Sequence, residues 1–205
     1  MKAYTNRING ITYRIAVEEV LYPQAQVLFQ AINKIPNDKI NDGYKIEIGF
    51  SVFIFVKNAN DDYTIVACDY TKNPFKDTTE DLTLALGIQF QQLDILKQYK
   101  LVGEDVRFDD EIVVAKNALD KPHISLQRFT DLGKSGWCVD ALSFDENGKA
   151  VFEKAEGYES YYAYQLLNIR PALIKILPLP YNYIVVFKDD DVVEILNEQN
   201  QSLMN

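Results

Sequence analysis

Tyr44–Tyr70 reads YKIEIGFSVFIFVKNANDDYTIVACDY, and most of its apolar residues are β-branched or aromatic, as in strands. A run of turn formers, Asn58 to Asp62, interrupts it midway, so the stretch predicts a β-hairpin. In the first arm Ile46, Ile48, Phe50, Val52, Ile54 and Val56 share one face at period two, and Lys45, Glu47, Gly49 and Ser51 begin the other. Phe53 and Phe55 then make that second face apolar, which predicts cover on both sides of the sheet. An isolated hairpin is marginal in water, so helices or further strands must pack against it.

The flanking sequence supplies both. Upstream, Ile11–Val17 alternates as a strand bounded by Asn9-Gly10. Pro23 then opens a helix whose apolar stripe is Val27, Leu28, Ala31 and Ile32, ended by Pro36. Downstream, Asp77 to Asp81 carries a capping residue and first-turn acids, predicting a helix over residues 79–99 with Leu82, Leu86, Phe90, Leu93 and Leu96 inward. Glu104 to Glu111 is a short acidic stretch that reads as the connection between two halves.

Beyond it, Ile112–Ala115, His123–Phe129 and Trp137–Leu142 read as short strands separated by turn residues, and Gly148 marks another turn. Ser160–Ile169 places Tyr161, Tyr164, Leu166 and Leu167 at helical spacing, ending at Arg170-Pro171. Tyr183–Lys188 and Val192–Leu196 predict a closing hairpin across Asp189-Asp190-Asp191. The expectation is an α+β protein of mainly antiparallel sheets with packed helices, in two small subdomains. The first, residues 1–106, holds the hairpin and the helix over 79–99; the second is residues 107–205.

At 205 residues with 47% hydrophobic and 25% charged side chains, the chain has the material for a sizeable core. No apolar run approaches the roughly 18 residues of a membrane span, and no apolar signal core follows Met1, which predicts a cytoplasmic protein. A net charge of −9 argues against nucleic acid and against an anionic membrane surface as partners.

Chemistry-bearing patterns are sparse. His123 is the single histidine, and Cys68 and Cys138 lie apart in strand-like runs, so no metal or cofactor is expected. Ser135-Gly136-Trp137 lacks the flanking glycines of a nucleophile elbow, and no glycine-rich loop opens a helix. Glu47 and Asp69 are the acids placed to face one another across the hairpin, too common a pairing to define an enzyme. No catalytic residue is assigned. The candidate partner-binding residues are the loop acids Asp61, Asp62, Glu104, Asp105, Asp109 and Asp110, with the aromatic group Tyr158, Tyr161 and Tyr162.

One ordered set of features over residues 112–188 is more specific: IVVAKNAL, a strand, Ser135-Gly136-Trp137, a Tyr-rich helix, Arg170-Pro171-Ala172-Leu173-Ile174, then Leu177-Pro178-Leu179-Pro180 leading into Tyr183-Ile184-Val185-Val186-Phe187. This order resembles the bacterial immunity protein 33 domain family. The strand DGYKIEIGFSVFIF and helix start DTTEDLTLAL resemble the module preceding that domain in longer members. The resemblance implies a non-enzymatic, cytoplasmic neutraliser of a toxin delivered between bacteria, with that toxin as protein partner. The chain departs from the family in having Cys138-Val139-Asp140-Ala141 where a small turn containing glycine and an acid is expected. An acidic chain suits charge-steered capture of a basic toxin. The alternatives are a hydrolase or transferase working through carboxylates, or a housekeeping interaction module.

Overall fold

The computed structural model describes residues 1–147 and 149–204, so the turn expected at Gly148 lies outside the described residues. The fold is α+β, in two compact units, Met1–Gln91 and Gln92–Asn205. The division falls within helix α2 (Thr83–Tyr99), whereas the acidic stretch near residue 106 belongs wholly to the second unit.

The first unit is built on a six-stranded sheet. Its strands are β1 (Lys2–Ile8), β2 (Ile11–Val17), β3 (Lys45–Ile48), β4 (Ser51–Lys57), β5 (Tyr63–Cys68) and β6 (Thr78–Thr79). The order is β1-β2-β5-β4-β3, with β6 on β5 and a single parallel pair, β2 with β5. The expected hairpin is present as β4 and β5, antiparallel with Phe53 opposite Ala67.

Its first arm, however, is two strands. Gly49 takes φ +55° and the chain reverses at Gly49-Phe50, so β3 folds back on β4 with Ile48 opposite Ser51. That reversal moves Ile46 onto the face of Phe53, which becomes the deep core: Phe53, Phe55, Ile65, Ala67, Tyr13, Ile15 and Val17 are all fully enclosed. The Ile54 and Val56 face, the main apolar face by sequence pattern, is partly open, with Val56 41% exposed.

Helix α1 (Tyr22–Asn33) has Pro23 in its first turn and buries Ala25, Leu28, Phe29 and Ile32, leaving Val27 outside. Helix α2 starts at Thr83, later than residue 79, because Thr78–Thr79 joins the sheet and Asp81 accepts the Thr83 N–H at 3.0 Å. Its buried side chains are Ala85, Leu86, Ile88, Gln92 and Ile95, while Phe90 and Leu93 are about half exposed.

The second unit is a seven-stranded sheet of β7 (Glu111–Ala115), β8 (His123–Arg128), β9 (Trp137–Phe144), β10 (Ala150–Phe152), β11 (Tyr158–Tyr162), β12 (Ile184–Lys188) and β13 (Asp191–Leu196). The order is β11-β7-β9-β8-β12-β13 with β10 on β9, and among the described residues only β7 and β9 run parallel. One expectation is corrected here. Tyr158–Tyr162 is an edge strand paired with β7; only Leu166–Ile169 (α3), after a short 3-10 turn, is α-helical. The strand expected over Trp137–Leu142 is present as β9, and Cys138–Ala141, where the chain departs from the family's turn, lies in its interior.

One face of this sheet is sealed, with Ile112, Val114, Trp137, Val139, Ile124, Leu126, Val185, Phe187 and Ile195 at most 2% exposed. Leu173, Ile174 and Ile176, from a 3-10 helix at Pro171–Ile176, are buried as well, and the Trp137 indole N–H donates to the Leu177 carbonyl at 2.9 Å.

Candidate functional site

Strand pairing decides which side chains share the other face of the second unit. Tyr158 lies opposite Ala115 and Tyr162 opposite Glu111, Val113 beside Cys138, Cys138 opposite Gln127, and Asp140 opposite Ser125. Alternation therefore puts Tyr158, Tyr162, Cys138, Asp140, Ser125 and Gln127 on one face and Tyr161 on the opposite one. Asp140 organises the centre. Its carboxylate accepts the Tyr158 hydroxyl at 3.0 Å and the Cys138 thiol at 3.6 Å. Tyr162 stacks with Tyr164, ring centroids 6.2 Å apart and planes 17° apart. Tyr158 and Tyr162 are 55% and 40% exposed, so this face offers two aromatic rings, the first of them bonded to the Asp140 carboxylate. Exposed tyrosines are a residue type enriched in protein–protein interfaces.

The candidate tyrosines Tyr158, Tyr161 and Tyr162 fall at i, i+3 and i+4, a spacing that one helix face would group. The strand separates them, and the Tyr161 hydroxyl bonds to Glu159 at 2.9 Å. The acids sort differently again. Asp110 is buried, with its carboxylate accepting the Arg107 N–H at 2.8 Å, and Asp109 pairs with the Arg107 guanidinium at 2.9 Å. Both shape their own turn. Glu104 and Asp105 stand exposed in the same stretch.

In the first unit, Asp61 forms an ion pair with Lys57 at 2.7 Å, and that bond holds its carboxyl below the usual range. Asp62 accepts the Thr12 N–H at 3.2 Å. Glu47 and Asp69 do not meet: β4 lies between β3 and β5, and Asp69 binds the Thr71 N–H and hydroxyl in its own turn. Among the described residues no group of three or more His, Cys, Asp or Glu side chains is placed to hold a metal.

Strand β1, with Tyr4 and Arg7, is not among the elements that alternation predicts. A different signal marks it. Asn9-Gly10, both at positive φ, is a two-residue hairpin turn, which requires a strand before it as well as after.

Residues 91–198 match the family model of the Imm33-like domain, a stretch that takes in every strand of the second unit and the face just described. The chain belongs to the Imm33-like family. Comparisons with curated proteins and with solved structures return no match.

The Imm33-like unit also carries most of the charge. Residues 92–205 hold 12 basic and 19 acidic side chains against 9 and 11 in residues 1–91, a net −7 against −2. On the same face burial, reinforced by the Asp140 carboxylate, pushes the Cys138 thiol up to about 12. The thiol therefore stays protonated. We expect Cys138 to resist a disulfide reagent at pH 8 in the folded protein, where about one thiol in ten thousand is ionised, and to react at once in denaturant. Its effect on stability has a definite sign. Above about pH 9 the unfolded chain loses this proton while the folded chain keeps it, so stability falls as pH rises toward 12. In Cys138→Ala that part of the alkaline decline is absent, as urea titrations at pH 8 and pH 10.5 will show.

Proposed function

We propose that this chain is a non-enzymatic immunity-type protein, acting in the cytoplasm, that binds a bacterial toxin and neutralises it by occupancy. The observation that carries the reading is the Imm33-like match, which spans a whole sheet whose second face is open and aromatic. No helix among the described residues is long and apolar enough to cross a membrane. The net −7 of this unit suits a toxin with a basic surface, since opposite potentials raise the rate of encounter. Tyr158 and Tyr162 are the proposed anchors, and Glu104 and Asp105 the steering acids. Asp61 and Asp62 are a second steering pair.

Co-expression with the product of an adjacent toxin gene tests the reading directly. The expected outcome is a stable complex through purification and rescue of growth. No complex and no rescue would remove the proposal. Within the complex, Tyr158→Ala with Tyr162→Ala should weaken binding by roughly 30-fold or more, mainly through faster dissociation. Glu104→Lys with Asp105→Lys should slow association and flatten its salt dependence at unchanged stability. Asp109→Lys with Asp110→Lys is a poor probe of steering, because Asp110 is buried and bonded.

A further inference from the structure

Among the described residues strand β1 is an edge strand, paired only with β2. Its register, Ile8 opposite Ile11 across a two-residue turn, makes Ile8, Asn6, Tyr4 and Lys2 the residues whose backbone groups bond to β2. The N–H and C=O groups of Ala3, Thr5 and Arg7 consequently point outward, away from the sheet. Beside that edge lies a trough of about 600 Å³, between β1 and one face of α1, lined in part by Tyr4, Asn6, Tyr22, Gln26 and Gln30. This volume is that of a ligand site. Its wall is made of carboxamides and two tyrosines whose rings lie 4.4 Å apart. The open backbone row and the trough beside it together have the form of a vacant strand position.

Charge narrows the occupant. No carboxylate is among the residues lining the trough. Arg7 and Arg14 lie on the face of β1 and β2 away from α1, both exposed, and among the described residues Arg7 donates only to the Gly10 carbonyl, at 3.4 Å. Neither has a carboxylate within ion-pair distance among the described residues. In a chain of net −9 this is an uncovered basic site. A second copy of β1 would fit it poorly, since antiparallel self-pairing gathers four arginines on one face and like charges across strands destabilise.

We propose that the first unit binds an extended peptide segment of a partner protein by strand addition to β1, with polar side chains of the segment in the trough and an acidic side chain beside Arg7. The peptide's backbone would complete the row of Ala3, Thr5 and Arg7, which gives affinity, and the carboxylate would select the sequence. This inference is independent of toxin neutralisation by the second unit.

The test uses the full chain, labelled with nitrogen-15, and two terminally blocked heptapeptides of alternating threonine and valine that carry glutamate or lysine at the centre. With the glutamate peptide we expect saturable shifts at Ala3, Thr5, Arg7 and Tyr22, with Kd below about 1 mM, and binding about five- to ten-fold weaker for the lysine peptide. Thr5→Pro should abolish binding yet fold, since the lost N–H faces outward on an edge strand. Arg7→Glu should reverse the preference between the peptides, which keeps the proposal testable should the proline variant misfold. Absence of shifts at about 1 mM glutamate peptide, equal shifts with both peptides, shifts that survive Thr5→Pro, or dimerisation through β1 would each overturn it.

Discussion

Arg128→Ala should cost the Imm33-like unit about 4 kcal/mol, the largest loss expected from any single side chain in this protein. Arg128 ends β8 and is wholly enclosed. Its guanidinium lies 4.4 Å from the Tyr181 ring centroid and 5.7 Å from that of Trp137. Its Nε donates to the Ser135 carbonyl at 2.8 Å, and Nη1 to the carbonyls of Glu104 at 3.1 Å and Leu179 at 2.5 Å. Three chain segments remote in sequence thus terminate on one cation. Burial lowers its pKa, with Tyr181 and Glu104 opposing that shift.

Removing the side chain opens a cavity and leaves three carbonyls without a donor, each an unmet desolvation of roughly 1 to 3 kcal/mol. Arg128→Met separates the two effects, because it refills most of the volume and restores no donor. A loss of about 2 kcal/mol or more in the methionine variant assigns the role to hydrogen bonding. Urea unfolding followed by Trp137 fluorescence measures both variants. An alanine variant within about 1 kcal/mol of the parent would refute the assignment.

Arg128 also marks the boundary of what the residues alone make legible. The alternation that predicts β8 sets Ile124, Leu126 and Arg128 on the same side. A charged residue at the apolar parity of a strand signals a buried, bonded cation, and that signal is local to the sequence. Other elements offer no such signal. YESYY carries aromatic residues at helical spacing as well as at strand spacing, and only its pairing with β7 decides between them. The stretch IEIGFSVFIF keeps a strict period of two through a chain reversal, so the turn at Gly49-Phe50 is hidden in the pattern.

The candidate site is legible in part. Composition and position single out Tyr158 and Tyr162 but not Asp140 between the strands, because its role depends on a cross-strand hydroxyl that no local pattern encodes. Of the acidic connection, charge alone does not distinguish the exposed Glu104 and Asp105 from Asp110, which turns inward to hold its own loop.

Gly136→Ala should destabilise the same unit by about 3 to 5 kcal/mol, far more than an ordinary glycine substitution. Gly136 sits at φ +76°, where an added Cβ would clash with the Phe129 carbonyl oxygen and come within 2.7 Å of Tyr181 Cε1 and 3.2 Å of Arg128 Cγ. The first of these is backbone and cannot swing away. Its neighbours are equally committed: the Phe129 N–H donates to the Gly136 carbonyl at 2.7 Å and the Gly136 N–H to the Leu132 carbonyl at 3.0 Å. The Ser135 hydroxyl donates to the Glu111 carbonyl and accepts the Trp137 N–H at 3.1 Å. Ser135-Gly136-Trp137, prominent in the resemblance to the immunity family, is therefore a junction of the core rather than a binding loop.

Gly133, three residues earlier, supplies an internal control. It has φ +59° but no atom within 4 Å of an added Cβ, so Gly133→Ala should carry only the conformational penalty of about 1 kcal/mol. Paired urea titrations of the two variants isolate the steric component as their difference. If the two lose equal stability, the close approach at Gly136 is not what fixes that residue. If Gly136→Ala alone collapses the unit, the toxin binding proposed above should vanish with it while Gly133→Ala retains it, tying that proposed activity to the integrity of this junction.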